Sequence, residues 1–290
     1  MIYLVLAIAS SAMISIVMRL SEQYIKNEMG MFMANYGVCV LLSFLFMDKG
    51  IDYLASDSIV PVFGLGIISG ILYLVSFLFL KWNMKHNGIV MASTFMKLGV
   101  LIPTLMAVVI FGEVPKGTQV LGIILSIIAI IILHFEKESL QTATLVQQKI
   151  SNKSNKKSWL LLLLFLSGIT DSMANIYDKV GNAQTKDGYL WITFFTAFIL
   201  TVCFTIFRKT KPTKSDIMFG MLIGVPNYFS ARFLLLALAD IKAVLVYPMY
   251  SVATMITIAL AGVFLFKETV SKKKAVALGI IVAALCLLNL

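Results

Sequence analysis

Ten long apolar segments, each of about 16–25 residues, restrict the fold of this chain more than any other feature. At about 1.5 Å per residue, segments of this length cross a hydrocarbon core of about 30 Å as α-helices. Hydrophobic residues make up 60% of the sequence and charged residues only 13%, whereas soluble domains have about 45–50% and about 25%. We therefore predict an all-α membrane protein with ten transmembrane helices, at 2–18, 31–47, 59–80, 88–112, 117–134, 159–178, 189–207, 217–239, 242–266 and 274–289.

A polar and basic segment, 135–158, divides the ten predicted spans into five and five. The two halves share short identities: LGII at 121–124 recurs at 278–281, and a spacing of 155 residues pairs Phe111 with Phe266, Glu113 with Glu268 and Tyr73 with Tyr228. Repeats with an odd number of spans must insert in opposite directions, as in secondary transporters that bind substrate near the membrane midplane. We predict two inverted five-helix repeats, 1–134 and 159–290, joined by the 135–158 linker.

Basic side chains are concentrated in the connections on the side of this linker, and the connections on the side of the termini carry far fewer. Since cytoplasmic loops carry the excess of Lys and Arg, this distribution predicts a cytoplasmic linker and both termini outside. The same rule accounts for the net charge of +10, so we expect no nucleic-acid partner. The expected location is the plasma (inner) membrane of a bacterium, with several passes through the bilayer.

Two stretches that begin with Phe111 and Phe266, FGEVPKGTQVLGIILSIIAIII and FKETVSKKKAVALGIIVAALCLL, resemble the end of the EamA repeat. That repeat defines much of the drug/metabolite transporter (DMT) superfamily, and the resemblance extends over essentially the whole chain. It implies a ten-helix carrier of small metabolites, with a central cavity lined mainly by the third, fourth, eighth and ninth helices. Characterised relatives keep both termini in the cytoplasm, which is the reverse of the orientation predicted from charge.

Charged side chains within the spans are the strongest candidates for substrate contacts. Asp171 lies in the sixth span, Arg232 in the eighth and Lys97 in the fourth, where Pro103 also interrupts the helix. Insertion of a charged side chain at the centre of a membrane helix costs about 2.5–3.5 kcal/mol, so such residues usually mark a functional site. Two cations and one anion fit a cavity for a carboxylate or phosphate. The alternative is an ion-paired network, Asp171 with Arg232, that only holds helices together.

Polar and aromatic residues near these charges complete the candidate binding set: Tyr73, Tyr228, Asn227, Asn175, Tyr250 and Tyr247. Tyr73 and Tyr228 occupy equivalent spans of the two repeats, so we expect them to face one cavity. A second, weaker argument supports Lys97 as a substrate contact. The fourth span resembles that of sugar-phosphate and nucleotide-sugar carriers, which implies an anion contact for Lys97.

Structural roles are expected for two other groups of residues. Gly64, Gly66 and Gly70 in the third span favour close contact between helices. Glu113 and Glu268 stand just before the fifth and tenth spans, where a carboxylate is stabilised by a helix dipole.

The favoured function is a secondary transporter that moves a small metabolite by alternating access, with export of an amino acid or other organic acid as the leading case. The alternative within the class is a carrier of a phosphorylated or nucleotide-linked metabolite. An intramembrane lipid-modifying enzyme is a different class, but the sequence lacks HExxH, CxxC, GxSxG and Walker motifs. We therefore expect no catalytic residues, metal or cofactor. The expected partners are the lipid bilayer, the substrate and protons as a candidate coupling ion, and the chain works as a monomer or homodimer.

Overall fold

The computed structural model describes residues 1–21, 24–47, 59–87, 95–96, 98–142, 157–209, 211–266 and 272–289. Within these ranges the chain forms ten α-helices and one short 3-10 turn at Ala183–Thr185. The helices are α1 (Ile2–Ser21), α2 (Glu28–Leu45), α3 (Ile59–Asn87), α4 (Leu101–Val109), α5 (Gly117–Thr142), α6 (Lys157–Val180), α7 (Lys186–Phe207), α8 (Lys214–Asp240), α9 (Ala243–Phe266) and α10 (Lys272–Asn289). The predicted all-α, ten-helix fold is confirmed.

Five of the described helices are long and apolar enough to cross a membrane, judged by length and composition: α2, most of α3 and α6, α7 and α8. Shorter apolar helical segments lie at Ile2–Met18, Gly117–Ile128 and Ala243–Ile258. Large apolar side chains also point outward, since Val109, Phe207 and Phe264 are each at least 78% exposed. Helices that expose large apolar side chains in this way are stable in the hydrocarbon core of a bilayer, so the chain is a multi-pass membrane protein.

The helix starts repeat with the spacing expected from the sequence. The first described residues of three helices in the first half and of their counterparts in the second are 155 residues apart: Ile2 and Lys157, Ile59 and Lys214, and Gly117 and Lys272, where Ile59, Lys157 and Lys272 each directly follow a gap in the described residues. Tyr73 and Tyr228 are consequently each the fifteenth residue of their helices, α3 and α8. The two halves are therefore two copies of one helix pattern.

The fourth span is interrupted, as its sequence suggests. Residues 95, 96 and 98 are helical, a turn follows at Gly99, and α4 begins only after Val100. The carbonyl oxygen of Met96 accepts hydrogen bonds from Gly99 N at 3.1 Å and from the Ser167 hydroxyl at 3.2 Å. Pro103 falls in the first turn of α4, where a helix leaves the backbone N–H unbonded in any case. The break is thus a turn before Pro103, stabilised by a side chain of α6.

The described helices form two compact units, each of which contains helices of both sequence halves, and α3 and α6 contribute to both units. Unit 1 comprises Met1–Leu74 and Met173–Ile241, and unit 2 comprises Val75–Ser172 and Lys242–Leu290. The division of the sequence at 135–158 stays a prediction. α5 continues through Thr142 into that segment, α6 begins at Lys157, and residues 143–156 lie outside the described residues.

Two pairs of glycines, each spaced by four residues, allow helices of unit 1 to touch. A Cβ added at Gly70 of α3 would lie 2.5 Å from the Thr193 carbonyl oxygen of α7, and one at Gly66 would lie 2.7 Å from Ile192 Cγ2. Gly220 and Gly224 of α8 approach the backbone of α2 in the same way. The predicted contact role is confirmed for Gly66 and Gly70. It is wrong for Gly64, which has open space beside it.

Asp216 joins the start of α8 to the connection between α1 and α2. Its carboxylate accepts hydrogen bonds from Lys26 N (2.9 Å), Asn27 N (3.2 Å), and the backbone N–H and hydroxyl of Thr213 (both 2.7 Å). Thr213 and Asp216 together form a capping box at the α8 N-terminus. One buried carboxylate therefore satisfies donors from two separate parts of unit 1.

Glu113 has a structural role in unit 2, at a different helix from the one expected. Its Oε2 accepts a hydrogen bond of 2.9 Å from Val244 N, in the first turn of α9. The carboxylate thus stabilises the N-terminus of α9. Glu268, the corresponding residue of the second half, lies outside the described residues.

Candidate functional site

The guanidinium of Arg232 is the centre of the candidate site in unit 1. Its Nη1 donates hydrogen bonds to the phenol oxygen of Tyr228 at 2.7 Å and to the backbone carbonyl oxygen of Phe46 at 3.0 Å. Tyr228 lies one turn earlier on α8, and Phe46 caps the C-terminus of α2. Carbonyl groups at a helix C-terminus have no partner within the helix and carry partial negative charge. They therefore hold the cation in a fixed orientation.

Two aromatic rings also cover Arg232. Its Cζ lies 5.4 Å from the ring centre of Phe46 and 6.0 Å from that of Tyr228. Cations within about 6 Å of a ring face are attracted by its quadrupole. Arg232 stands eight residues before the end of α8, so at about 1.5 Å per residue it lies about 12 Å from that end.

Asp187 is the carboxylate beside Arg232, with Oδ1 3.5 Å from Nη2. Asp187 is the second residue of α7, where a negative charge is favoured by the helix dipole. The side chains of Arg232 and Asp187 are 18% and 21% exposed. The pair is therefore reachable from outside the packed interior.

The residue next to Asp187 forms a second ion pair of opposite polarity. Lys186 Nζ lies 2.8 Å from Asp178 Oδ1, near the end of α6, and donates to the Leu235 carbonyl oxygen of α8 at 3.4 Å. Two rings add to this junction, because Tyr177 of α6 stacks on Tyr189 of α7 with centroids 4.0 Å apart. The first turn of α7 is thus fixed to both neighbouring helices.

Tyr73 and Tyr228 both lie near the ring of Phe194, a residue that the sequence did not single out; that the two tyrosines face one cavity stays a prediction. Their rings lie 6.5 Å and 6.4 Å from the ring of Phe194 on α7. Phe194 and Tyr228 are buried and Tyr73 is half-buried. Tyr228 consequently contributes both to an aromatic group and to the position of Arg232.

The two candidate asparagines of unit 1 have different surroundings. Asn227 Nδ2 donates to Asn35 Oδ1 of α2 at 3.2 Å, so it connects α8 to α2. Asn175 is completely buried, and neither amide atom has a hydrogen-bond partner among the described residues. Buried polar groups are nearly always paired in native proteins. Asn175 is therefore an unusual position that needs a functional or solvent-related explanation.

The remaining candidates belong to unit 2 or to the part of the chain outside the described residues. Tyr247 donates its hydroxyl to the backbone carbonyl of Asp171 at 2.8 Å. The Asp171 side chain is exposed, and Tyr250 is half-buried. Lys97 lies outside the described residues. That all the candidates form a single substrate site stays a prediction.

A cavity of about 670 Å³ lies within unit 1 between α2, α3 and α7. Its lining is apolar apart from Thr196 and includes Phe44, Phe63, Trp191 and Phe195. Such a surface suits hydrocarbon or an apolar compound and offers no charge to an anion. Among the described residues there is also no group of three His, Cys, Asp or Glu that could hold a metal ion.

Sequence reasoning found Arg232 but missed Asp187 and Phe46, which contact it. It also missed the neighbouring Lys186–Asp178 ion pair and Phe194, which lies against Tyr228. In the sequence, Lys186 is one of the basic residues of the connections between spans, and no pattern assigns a role to Asp187. A Lys-Asp pair directly before an apolar span was the available signal. Such pairs are common at membrane surfaces, so only the contact with α8 identifies this one.

Comparisons with known proteins cover nearly the whole chain. Residues 1–135 match the EamA-like transporter family, and residues 189–281 match the family described as Small Multidrug Resistance protein. An uncharacterized protein of Haemophilus influenzae is 23% identical over 279 residues, which span 93% of this chain and 91% of that protein. A solved structure described only as "Crystal structure of protein" superimposes with a TM-score of 0.73, covers 99% of this chain and 94% of its own, and is 14% identical. At this identity the likeness is one of fold.

Proposed function

We propose that this chain, which belongs to the drug/metabolite transporter superfamily as an EamA-type membrane transporter, is a secondary transporter of small organic acids. Amino acids are the leading substrates, and export is the favoured direction. The proposed location is the bacterial inner membrane, supported by the relative in Haemophilus influenzae. The 135–158 linker is placed in the cytoplasm by its basic charge.

This proposal rests mainly on the contacts that the Arg232 guanidinium makes in unit 1. A guanidinium presents parallel N–H donors that match a carboxylate in a bidentate pair. In unit 1 the Phe46 carbonyl and the Tyr228 hydroxyl fix its Nη1 edge. The Nη2 edge faces Asp187 at 3.5 Å, which is longer than a charge-assisted hydrogen bond of about 2.7–2.9 Å. This edge is suited to an incoming carboxylate.

The repeated helix pattern supports the transport mechanism. Carriers built from inverted repeats alternate access by moving one group of helices against the other around a site near the midplane. We assign further substrate contacts to Lys97, Asp171, Tyr73, Asn175, Asn227, Tyr247 and Tyr250. Protons remain a candidate coupling ion, with Asp171 as the group that would carry them.

A second candidate function is extrusion of apolar, drug-like compounds. Two observations favour it: the match of residues 189–281 to the Small Multidrug Resistance protein family and the apolar cavity between α2, α3 and α7. A phosphorylated or nucleotide-linked substrate would depend on Lys97 as its anion contact.

Ligand-induced thermal stabilisation of the purified protein separates these candidates. A library of amino acids, other organic acids, sugar phosphates and apolar cations is tested on the wild type, Arg232→Gln, Arg232→Lys and the control Arg208→Gln. Arg208 is exposed at the end of α7, so it provides the same residue type away from the site. We expect acids to stabilise the wild type and Arg208→Gln, weakly stabilise Arg232→Lys, and have no effect on Arg232→Gln. Equal stabilisation of Arg232→Gln, or a response to apolar cations alone, would reject the acid carrier.

A further inference from the structure

The two ion pairs at the start of α7 involve adjacent residues, but their N···O distances differ. Lys186 and Asp178 are 2.8 Å apart, the distance of a full charge-assisted hydrogen bond, whereas Asp187 and Arg232 are 3.5 Å apart. The closer pair is 12% and 11% exposed, and the longer pair is 18% and 21% exposed. The Lys186–Asp178 pair is therefore the closer and less exposed of the two, and the Asp187–Arg232 pair is the longer and more accessible one.

The orientation of Arg232 does not depend on Asp187. The Tyr228 hydroxyl and the Phe46 carbonyl bind its Nη1, and the rings of the same two residues lie against the guanidinium. If Asp187 moves away, the cation keeps its position, and its Nη2 edge becomes a preformed anion site. Preorganisation of this kind lowers the cost of binding.

We propose that Asp187 is an internal ligand that occupies Arg232 in the empty carrier and is replaced by the carboxylate of the substrate. This inference rests on the proposed function, since it assumes that Arg232 binds the substrate acid. One guanidinium neutralises one carboxylate, so Asp187 and the substrate compete for it. Asp187 thereby sets the affinity for the substrate, and each binding event separates the α7 carboxylate from α8.

The replacement leaves the rest of the α7 junction intact. Lys186 still contacts Asp178 and the Leu235 carbonyl, and Tyr177 still stacks on Tyr189. The movement is therefore confined to the Asp187 side chain and its turn. This allows the ion pair to break and re-form in every transport cycle without unfolding the helix start.

Binding titrations with benzoate test whether a carboxylate replaces Asp187 at Arg232. Benzamide, a neutral analogue of similar shape, is the control ligand. A solvent-accessible ion pair contributes up to about 1 kcal/mol, so Asp187→Asn is expected to bind benzoate up to about fivefold more tightly than the wild type. Asp178→Asn is the matched control: it removes the other carboxylate and is expected to leave benzoate affinity within about twofold. Benzamide affinity is expected to be the same in all three proteins.

A second measurement reports the accessibility of Arg232 itself, and its main comparison, between the wild type and Asp187→Asn, needs no added acid. Phenylglyoxal modifies accessible arginines, and the rate at Arg232 is followed by mass spectrometry. We expect faster modification in Asp187→Asn than in the wild type, and protection by benzoate in both. A rate equal to that of the wild type would show that Asp187 does not cover the guanidinium and would overturn the inference.

The outcomes distinguish this inference from the proposed function. If Arg232→Gln abolishes benzoate binding while Asp187→Asn binds no more tightly than the wild type, the internal ligand is rejected and the anion site stands. If Arg232→Gln binds benzoate as well as the wild type, or the wild type does not bind it, both proposals fail.

Discussion

Replacement of Asp216 by alanine tests whether the packing of unit 1 depends on one buried carboxylate. Asp216 is fully buried at the start of α8 and accepts four hydrogen bonds. Two come from Thr213 within the capping box, and two come from the backbone N–H groups of Lys26 and Asn27. Alanine removes both acceptor oxygens and with them all four hydrogen bonds.

The expected loss follows from these bonds. Hydrogen bonds to a charged group contribute about 1.5–3 kcal/mol each, so the two bonds to the connection before α2 account for about 3 kcal/mol at the lower figure. Loss of the capping box would add about 1 kcal/mol. Water can reach the donors at a helix end and reduce the penalty. We therefore expect Asp216→Ala to lower the free energy of unfolding by about 3 kcal/mol.

Unfolding of the detergent-solubilised protein by SDS titration measures this loss. Asp240→Ala is the control, because Asp240 is an exposed carboxylate at the opposite end of the same helix; it is expected to change the free energy of unfolding by less than about 0.5 kcal/mol. Asp216→Asn keeps one acceptor oxygen and should lie between the two. A loss for Asp216→Ala no larger than that of the control would refute the role assigned to this carboxylate.

Three other substitutions have expected outcomes in the same assay. Gly70→Leu forces α3 away from the α7 backbone and should cost at least about 3 kcal/mol, whereas Gly64→Leu, with open space beside it, should be nearly neutral; equal losses would contradict the contact. Glu113→Ala removes the acceptor of the Val244 N–H and should cost about 1–2 kcal/mol, while Glu113→Gln keeps it and should cost less. Asn175→Leu removes a buried amide that has no partner among the described residues and should raise stability by about 1 kcal/mol; a loss would show that the amide is satisfied in solution.

The fold was largely predictable because a bilayer restricts it severely. Segments that are apolar for about 20 residues must be helices in lipid, and short connections leave few choices of order. The predicted ends differ from the observed ones where charges were taken as boundaries. α7 and α8 each begin at a lysine, three residues before the predicted span, since backbone hydrogen bonds continue through charged residues.

The candidate site was only partly predictable. Arg232 stood out because a charge within a span is rare, and the 155-residue spacing linked Tyr228 to Tyr73. Asp187 did not stand out, because Lys186 beside it cancels its charge and both lie at a helix end. Its pairing with Arg232 is a contact between residues 45 positions apart. One sequence fixes neither the rotation of α7 nor that of α8, so this contact could not be inferred.

Exchange of a labelled organic acid across reconstituted membranes tests most directly whether this chain is a carrier with an acid site at Arg232. Proteoliposomes are loaded with an unlabelled acid from the stabilisation screen, and uptake of the same labelled acid is compared with uptake into empty vesicles. The account predicts faster uptake into loaded vesicles for the wild type and Arg208→Gln, and none for Arg232→Gln. Equal uptake into loaded and empty vesicles, or exchange that persists in Arg232→Gln, would contradict it.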